Sequence, residues 1–414
     1  MPDRPIVIVD PYSSGALLAD ALVARGVRCI AVESSPALPT SMRSHFDRDA
    51  FGEVISHHGD GEQTLQSVAR HKPSRVIAGF ESGVELSEWL GHQLGLPSND
   101  PKRAESRRDK YAMAESARSH GLRTPLQFQS CHIDDLLAWT HRTLAWPVIA
   151  KPPQSVASDH VFCCRTSDEL RSAAEAILRD RNVLGSRNST VLVQEFLPGT
   201  EYAVDTVSCD GKHKLTAIWQ YHRPAAGSTF ICYDSLRLLP YEGDRQAELR
   251  RFAFAVLDAV GVRFGPAHGE LIWTAEGPAL IEVGARMTAG NNAVLSRLCG
   301  GICQLDETVE VLVAPDRFLA GLDSQPRLEK WAANLFLIAP CRGRLIQTRH
   351  LERLRQLPTL HSMSIATQVG EVIQGVAGRV TLLHASWEAI ERDLEEIRSL
   401  EKKGIFLVEE QPHR

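Results

Sequence analysis

The sequence predicts a mixed protein that begins with a parallel α/β domain and continues with two α+β domains. Three patterns indicate this arrangement. The first is a β-branched strand from Ile6 to Val9, then a turn, an apolar-periodic helix from Ala16 to Arg25, and a second strand from Val27 to Val32. The second is a series of short strands between loops in the middle of the chain, and the third is an alternation of strands with one helix toward the carboxyl terminus.

The amino-terminal part has the strand, helix, strand order that is typical of a Rossmann-like parallel sheet. A strand from Arg75 to Ala78, followed by the turn GFESG, is expected to join the same sheet. The first turn, PYSSG, has one glycine and lacks G-x-G-x-x-G, so NAD is not the expected cofactor. Helices are predicted from Leu86 to Leu94 and from about Arg108 to Gly121, and Thr124-Pro125 closes a domain of residues 1–125.

The rest of the chain is predicted to form a central domain of residues 126–325, with a small lid subdomain at 126–197, and a carboxyl-terminal α+β domain of residues 326–414. Ordered linkers are expected at residues 127–133 and 314–330. In the last domain, the periodicity from Trp387 to Leu400 indicates its helix, and a final strand should run from Ile405 to Val408. Strands of the central domain are expected at 148–151, 161–164, 191–195, 202–208 and 215–221.

Composition limits the classes of function. Of 414 residues, 43% are hydrophobic and 23% charged, and 46 Lys plus Arg against 51 Asp plus Glu give a net charge of -5. Without a basic block or an apolar run of about 20 residues, neither nucleic acid nor membrane is an expected partner, and we expect a cytoplasmic protein. The nine cysteines are scattered without a CxxC pair and are expected to be reduced structural thiols.

Lys151 ends a predicted strand and is followed by the loop KPPQSVASDHV. A cation beside a hydroxyl-bearing loop can hold phosphate oxygens through its charge and through backbone N–H groups. The alternative is a solvated lysine at a strand end.

The segment QEFLPGTEYAVD, Gln194 to Asp205, joins two predicted strands through a tight Pro198-Gly199 turn. The backbone of Glu195 and Leu197 could pair with an adenine edge, and Glu201 could accept ribose hydroxyls. A plain β-hairpin is the alternative.

The segment HGELIWTAEGPALIEVGARMTAGN places Glu270 and Glu282 on two strands that a turn at 275–278 folds together. Two facing carboxylates repel each other unless a hard cation lies between them, and Mg²⁺ prefers oxygen ligands. Arg286 follows four positions later, and its guanidinium could hold a phosphoryl group or an acyl-phosphate oxygen in a bidentate manner. The two glutamates could also be ordinary solvated strand residues.

In this order, the three segments resemble the ATP-grasp family over almost the whole chain. The resemblance implies an ATP-grasp architecture, in which a Rossmann-like parallel-sheet domain precedes a central nucleotide-clamping domain and a small α+β domain. RRDKYAM, Arg107 to Met113, is similar to the family's earlier phosphate lysine at a helix start. The resemblance therefore implies ATP contacts for Lys110, Lys151, Glu195, Leu197 and Glu201, and metal binding by Glu270 and Glu282. Ser158, in the loop after Lys151, can also offer its hydroxyl to ATP.

Within that family, the stretch GFESGVELSEWLGHQLGLPSND and the carboxyl-terminal region resemble the L-amino acid ligases that make dipeptides. Two positions depart from the common ATP-grasp pattern. Gly284 stands where many members have an asparagine ligand to the second metal, so one or two Mg²⁺ ions are expected, with Mn²⁺ as a substitute. The loop after Lys151 has no glycine, and we expect it to close over ATP more stiffly.

The implied reaction is an acid–amino-acid ligation: ATP phosphorylates one amino-acid carboxylate, and the amine of a second amino acid displaces phosphate, with release of ADP. Arg286 and His268 are the candidate catalytic residues, His268 for proton removal from the amine or else as a strand-end histidine bonded to backbone. Glu81, Ser82 and Glu85 of the GFESGVE turn are candidate substrate contacts, as are Arg286 and Gly290; the two acids could equally be helix-start acids.

Rival functions are an ATP-grasp carboxylase or purine-biosynthesis ligase and a non-catalytic nucleotide-binding module, although the retained Glu270 and Glu282 argue against the latter. Residues 225–234 are the candidate lid that keeps water from the acyl phosphate. We expect small-molecule amino-acid substrates and a homodimer.

Overall fold

The computed structural model describes residues 4–35, 38–39, 43, 45–222, 234–373 and 375–410. The candidate lid at 225–234 lies outside the described residues except for Asp234. The amino-terminal sheet is parallel, in the order β3-β2-β1-β4. Its strands and the helices that follow them are β1 (Ile6–Val9), α1 (Ser14–Val23), β2 (Cys29–Glu33), β3 (Glu53–Ser56), α2 (Gly61–Ala69), β4 (Arg75–Ala78), α3 (Val84–Gln93) and α4 (Lys110–Ser119).

A second sheet, antiparallel in the order β5-β8-β6-β7, is built from residues between 127 and 195. Its elements are β5 (Gln127–Ser130), α5 (Ile133–Thr143), β6 (Val148–Lys151), β7 (Phe162–Cys164), α6 (Ser167–Arg179) and β8 (Val191–Glu195). The expectation of a linker at 127–133 was wrong, because QFQS pairs with β8 as an edge strand. The side-chain amide of Gln194 also donates to Gln127 Oε1 at 3.0 Å, a contact between residues that are distant in sequence.

The central sheet has eight strands in the order β13-β12-β9-β10-β11-β14-β18-β16. Strands from the carboxyl-terminal part of the chain extend it, and β15, β17 and β19 form a separate small sheet. The strands are β9 (Thr200–Cys209), β10 (Lys212–His222), β11 (Ser235–Leu239), β12 (Gly265–Thr274), β13 (Gly277–Gly284), β14 (Trp331–Ile338), β15 (Gly343–Thr348), β16 (Leu360–Ile365), β17 (Val372–Ile373), β18 (Val376–His384) and β19 (Phe406–Glu410).

Six helices accompany these strands in the described residues: α7 (Asp244–Val260), α8 (Asn292–Leu298), α9 (Gln304–Val313), α10 (Pro315–Ala320), α11 (Leu351–Arg355) and α12 (Trp387–Lys402). Two expectations about helices were wrong. The proposed linker at 314–330 contains α10, whose Phe318 is 1% exposed in the core, and α11 adds a second helix to the last part of the chain. Both helices are short, and periodicity over so few residues is a weak signal.

Close backbone contacts hold the β1–α1 turn against the β4–α3 turn. A Cβ on Gly15 would lie 2.6 Å from the Gly79 backbone, and one on Gly83 would lie 2.6 Å from the Val9 carbonyl oxygen. No side chain fits these positions, so the two turns at the carboxyl edge of the parallel sheet meet directly. This contact places Ser14 and Glu81, one from each turn, toward the same cavity.

Helix α4 joins the amino-terminal part to the central sheet. Met113 and Ala117 are buried in one core with residues of β9, β12 and α7, and the Val283 N–H donates to Met113 Sδ at 3.1 Å. Preceding α4, Arg107 is fully buried and donates to Glu88 of α3 at 2.6 Å and to the Val260 carbonyl oxygen at 2.7 Å. These contacts fix the start of α4, and with it Lys110, at the edge of the cavity.

Candidate active site

A cavity of about 420 Å³ lies where the amino-terminal turns, the loop after β6 and the central sheet meet. Many residues that the sequence singled out line it, although they come from five different regions of the chain. Those residues are Glu81, Lys110, Lys151, Ser158, Glu195, Leu197, Glu201, His268, Glu270, Glu282 and Arg286.

Three predicted substrate residues do not line the cavity. The Ser82 hydroxyl donates to the Asp10 carboxylate, and Glu85 is exposed in the first turn of α3, where an acid favours the helix dipole. Gly290 has φ +68°, and its N–H donates to the Ser13 hydroxyl at 3.4 Å. The Ser82 hydroxyl and the Gly290 N–H are bonded to neighbouring elements and Glu85 is exposed, and none of the three residues lines the cavity.

Glu270 and Glu282 are directly opposite each other on the antiparallel strands β12 and β13. A β-bulge follows Glu270, so that Ile281 and Glu282, although consecutive, both line the cavity. Tyr221 of β10 donates to Glu270 Oε1 at 3.3 Å. The hairpin therefore presents two carboxylates to one point of the cavity wall, with an apolar side chain beside them.

Two lysines accompany the carboxylates. Lys110 Nζ is 3.1 Å from Glu282 Oε2 and donates to the Ser155 carbonyl oxygen at 2.7 Å. Lys151 is 5% exposed at the end of β6; burial lowers its pKa to about 8, with Lys110 adding to this effect and Glu282 opposing it. Burial disfavours the charged form of this lysine, and a polyanionic ligand beside it would stabilise that charged form.

His268 belongs to a buried network that sequence reasoning did not find. Its Nδ1 is 2.6 Å from Asp205 Oδ1, its Nε2 is 3.5 Å from Glu270 Oε1, and Trp219 Nε1 donates to Asp205 Oδ2 at 3.0 Å. Burial alone would lower the pKa of His268, but Asp205 and Glu270 outweigh it and raise the value to about 9. The alternative of a histidine bonded to backbone was wrong. The raised pKa favours the protonated imidazole, which pairs with Glu270, whereas removal of a proton from the amine needs the neutral form. The role of His268 as a base stays a prediction.

Two arginines bind the carboxylate of Glu81. Arg108 Nη1 donates to its Oε1 at 2.7 Å and Arg286 Nε to its Oε2 at 2.9 Å. Burial raises the pKa of Glu81, but Arg286, Arg108 and Lys110 overcome it and lower the value to about 2. A Cβ on Gly284 would lie within 2.8 Å of Glu81 Oε2. The carboxylate of Glu81 thus occupies space that a side chain at position 284 would need, which is a physical reason for glycine there.

The strand β8 leads into the predicted adenine hinge. The Glu195 N–H donates to the Leu126 carbonyl oxygen at 2.8 Å. This N–H is therefore not available to adenine, and the prediction was wrong for the backbone donor of Glu195. Leu197 lies just beyond β8, and among the described residues its N–H has no backbone acceptor. Leu197 packs with Ile272 and Ile281 to form an apolar wall of the cavity, and Glu201 is buried beside it on β9.

The glycine-free loop after Lys151 adopts backbone conformations that favour glycine. Ala157, Ser158 and His160 have φ values of 58°, 56° and 53°. The Asp159 carboxylate holds the loop by accepting from the Ser155 hydroxyl at 2.7 Å and from the Val183 N–H at 2.8 Å. Left-handed conformations are unfavourable for residues with a Cβ, so this loop stores strain beside the cavity.

Sequence reasoning missed Asp205, Arg108 and Tyr221. Asp205 was visible as an acid inside a buried apolar strand, and Arg108 as one of two arginines preceding Lys110. Which arginine binds the cavity-lining Glu81 depends on tertiary packing, since Arg107 binds Glu88 and Arg108 binds Glu81. Tyr221 gave no signal, because an aromatic residue in a strand is ordinary.

The carboxylate pair fits a magnesium ion that completes its shell from a ligand. In the described part of the chain, no group of three or more His, Cys, Asp or Glu side chains could hold a metal by itself. Mg²⁺ is commonly held by one or two carboxylates together with substrate phosphates and water, and Glu270 and Glu282 supply such a pair.

Comparison with known proteins shows the class. A family described as the ATP-grasp domain matches residues 144–294. The curated protein dapdiamide A synthase of Enterobacter agglomerans is 30% identical over 374 residues, which are 89% of this chain and 88% of that protein. The chain belongs to the ATP-grasp superfamily, among its carboxylate–amine ligases. Among the described residues, no helix combines the length and the apolar character needed to cross a bilayer.

Two solved structures show the fold. The L-amino acid ligase of Bacillus licheniformis superimposes with a TM-score of 0.75 at 17% identity and covers 99% of both chains. A carboxyaminoimidazole ribonucleotide synthase of Aspergillus clavatus, solved with ATP, superimposes with a TM-score of 0.71 at 14% identity over 97% of this chain and 100% of that one. The mixed architecture predicted from the sequence is confirmed, as is the resemblance to L-amino acid ligases.

Proposed function

We propose that this protein joins the carboxylate of one amino acid to the amine of another through an acyl phosphate, with ATP as the phosphoryl donor and Mg²⁺ as the cofactor. The observation that carries the proposal is the convergence of Glu270, Glu282, Lys110 and Arg286 on one cavity. Opposed carboxylates beside a lysine and an arginine suit a reaction in which negative charge moves between phosphate and carboxylate. The likeness to dapdiamide A synthase along most of both chains supports the same class of reaction.

In the first step, an oxygen of the donor amino acid's carboxylate attacks the γ-phosphorus of ATP, and the bond between that phosphorus and the β–γ bridging oxygen breaks. Lys110 and Lys151 neutralise the phosphate oxygens. Mg²⁺, held by Glu270 and Glu282, would supply further neutralisation of charge on the phosphates. The products of this step are an acyl phosphate and ADP.

In the second step, the nitrogen of the other amino acid attacks the acyl carbon, the bond from that carbon to the phosphate oxygen breaks, and the proton that the nitrogen loses passes to the departing phosphate. Arg286 donates from Nε to Glu81 and from Nη1 to the Met287 carbonyl oxygen, and its Nη2 has no partner among the described residues. That free donor is the part of Arg286 that could hold an acyl-phosphate oxygen. Glu81 acts as a positioning residue by fixing the guanidinium.

The apolar wall of Leu197, Ile272 and Ile281 would pack against adenine. The Leu197 N–H would donate a hydrogen bond to the adenine edge, and Glu201 would accept from the ribose hydroxyls. The strained loop at 155–160 would cover the phosphates from the opposite side. Water exclusion follows from this closure, and it matters because water would hydrolyse the acyl phosphate.

The test is transfer of oxygen-18 from a labelled amino-acid carboxylate into released phosphate, measured by mass spectrometry over a matrix of paired L-amino acids. The proposed reaction puts one labelled oxygen into phosphate for each dipeptide formed. Dipeptide formation with unlabelled phosphate would contradict the acyl-phosphate route. Phosphate release that needs bicarbonate but no amino acid would favour the carboxylase alternative and overturn the proposal.

A further inference from the structure

One end of the cavity carries an arginine from the carboxyl-terminal part of the chain. Arg379 of β18 lines the cavity and is exposed to solvent, so it lies where the cavity opens. It is directly opposite Phe336 of β14 in the sheet, and its guanidinium lies over that ring at 5.5 Å from the centroid. The aromatic face holds the side chain in place and leaves its N–H donors free to bind an anion.

Arg379 differs from most other cations that line the cavity. Lys110 pairs with Glu282, Arg286 with Glu81, and His268 with Asp205. Within the described ranges, Lys151 and Arg379 have no carboxylate at ion-pair distance. Lys151 ends the strand next to β8, whose end forms the adenine hinge, and it is already assigned to phosphate. Arg379 is therefore a cation for which the reaction steps above have no use.

The start of α1 lines the same cavity as this arginine. Ser14, the first residue of α1, is 2% exposed and lines the cavity, and its hydroxyl has no partner in the part of the chain that the structure describes. Ser13, the N-cap, makes no side-chain capping bond to the helix. The N–H groups of Gly15 and Ala16 already donate to the Tyr12 and Ser13 carbonyl oxygens, at 2.8 Å and 3.2 Å. The free, buried Ser14 hydroxyl is therefore the donor that this turn offers to a negatively charged oxygen.

Gly290 lies close to both the start of α1 and the guanidinium of Arg379. Its N–H donates to the Ser13 hydroxyl at 3.4 Å, and a Cβ on Gly290 would lie 2.9 Å from Arg379 Nη1. The start of α1 and the guanidinium therefore meet across one residue that cannot carry a side chain without moving Arg379. Gly290 follows Arg286 by four positions, so the same turn leads from the proposed acyl-phosphate contact to this pair.

We propose that Arg379, with the hydroxyl of Ser14, binds the free α-carboxylate of the amine-donating amino acid. This inference rests on the proposed function, because only that substrate keeps its carboxylate: the carboxylate of the other amino acid is phosphorylated. An anion held at this end of the cavity orients the amine of the same molecule toward the turn that carries Arg286. The site thus selects a free amino acid as the acceptor and disfavours amines that lack a carboxylate.

The experiment compares L-amino acids with the corresponding L-amino acid amides as acceptors, at saturating ATP and donor amino acid. An amide has no carboxylate to phosphorylate, so it can act only as the acceptor. The wild-type protein is expected to use the acid with kcat/KM roughly tenfold to a hundredfold above the amide, the range for a charge-assisted hydrogen bond. Arg379→Gln is expected to lower kcat/KM for the acid to the level of the amide and to leave the amide rate and the KM for ATP unchanged.

Three further variants test whether Arg379→Gln acts only by disturbing the fold. Arg379→Lys keeps the charge and should retain part of the preference for the acid, and Ser14→Ala should reduce that preference by less than Arg379→Gln does. Arg344→Gln is the matched control, because Arg344 is exposed on β15 and does not line the cavity. It should behave as the wild type with both acceptors.

The outcomes separate this proposal from the proposed function. A wild-type protein that forms dipeptides but uses acids and amides equally overturns the carboxylate site and leaves the ligase function intact. An Arg379→Gln variant that loses acid and amide turnover in equal proportion overturns it as well. A wild-type protein that couples no pair of amino acids overturns the ligase function, and the carboxylate site with it.

Discussion

Lys110 Nζ and Glu282 Oε2 lie 3.1 Å apart, so a residue proposed to bind phosphate neutralises a residue proposed to bind metal. Without a ligand, the lysine offsets part of the repulsion between Glu282 and the opposing Glu270. A bound phosphate chain would draw Lys110 away from Glu282, and Glu270 and Glu282 would then be the residues that hold Mg²⁺. The pair is therefore expected to separate on nucleotide binding.

We predict that Glu282→Gln lowers turnover by at least about a hundredfold and weakens ATP binding less than it lowers turnover, because a neutral amide cannot balance a divalent cation. The measurements are phosphate release and calorimetric ATP affinity at several magnesium concentrations. Glu276→Gln is the matched control, since Glu276 is largely exposed on the turn of the same hairpin and pairs only with Arg123 in the described residues. Wild-type turnover in Glu282→Gln would remove Glu282 from the metal site.

A second prediction concerns Lys151. Its replacement by alanine should raise the KM for ATP by roughly tenfold or more, because it deletes a buried counter-charge to phosphate. The exposed Lys330 provides the control, and Lys330→Ala should leave the KM for ATP unchanged. An unaltered nucleotide affinity of Lys151→Ala by calorimetry would contradict the assignment.

Local patterns predicted much of the backbone. The strands β1, β4, β6 and β8 cover the same residues that were expected, because each is a short apolar run between turn residues. The opposition of Glu270 and Glu282 was also predictable, since a tight turn joins their strands and fixes the register. By contrast, β3 and α2 were not predicted: EVIS is a short, half-buried strand with little periodicity.

Contacts between distant segments could not be predicted. Asp205 and His268 are 63 positions apart, and Glu81 and Arg286 are 205 apart. Each pair forms only when separate sheets or turns pack together, and no local pattern encodes that packing. The hydrogen bond from the Glu195 N–H to the Leu126 carbonyl oxygen could not be predicted for the same reason, because the two residues belong to separate segments that meet only in the folded chain.

The loop after Lys151 leads to a prediction about stability. Ala157 is exposed and has φ +58°, so Ala157→Gly should relieve left-handed strain and raise the free energy of unfolding by up to about 1 kcal/mol, after the greater chain entropy of glycine is deducted. Ala24→Gly is the control: Ala24 is also exposed but has φ -60°, and its replacement should be destabilising. Urea unfolding measures both. A less stable Ala157→Gly would show that the loop is not strained.

The two arginines that bind Glu81 predict how the free energy of unfolding depends on pH. Arg286, Arg108 and Lys110 lower the pKa of Glu81 from the ordinary 4.5 to about 2 in the folded protein. The stabilisation is therefore fully present above about pH 4.5 and is lost as the pH falls toward 2. Glu81→Gln should be less stable than wild type at neutral pH, and the difference in urea midpoint should shrink between pH 4.5 and 2. A difference that stays constant over that range would exclude ionised Glu81 as its source.

The last prediction is that Arg286 acts on the acyl phosphate more than on ATP. Its Nε and Nη1 are committed to Glu81 and to the Met287 carbonyl oxygen, so one fixed edge of the guanidinium remains to face the cavity. Arg286→Lys keeps the charge but loses the planar fork and the bond to Glu81 that orients it. Turnover should therefore fall by more than nucleotide affinity does, because the lost interaction is made chiefly in the transition state.

The measurement is paired: ATP affinity by calorimetry, and phosphate release with two amino acids present. Glu81→Gln provides an independent check, since it leaves Arg286 in place but removes the carboxylate that fixes it, and it should lower turnover in the same direction by a smaller factor. Equal losses of ATP affinity and turnover in Arg286→Lys would make the residue an ordinary nucleotide ligand. If neither quantity changed, Arg286 would have no part in the reaction, and the turn from Gly284 to Gly290 would lose its assigned role in ligation.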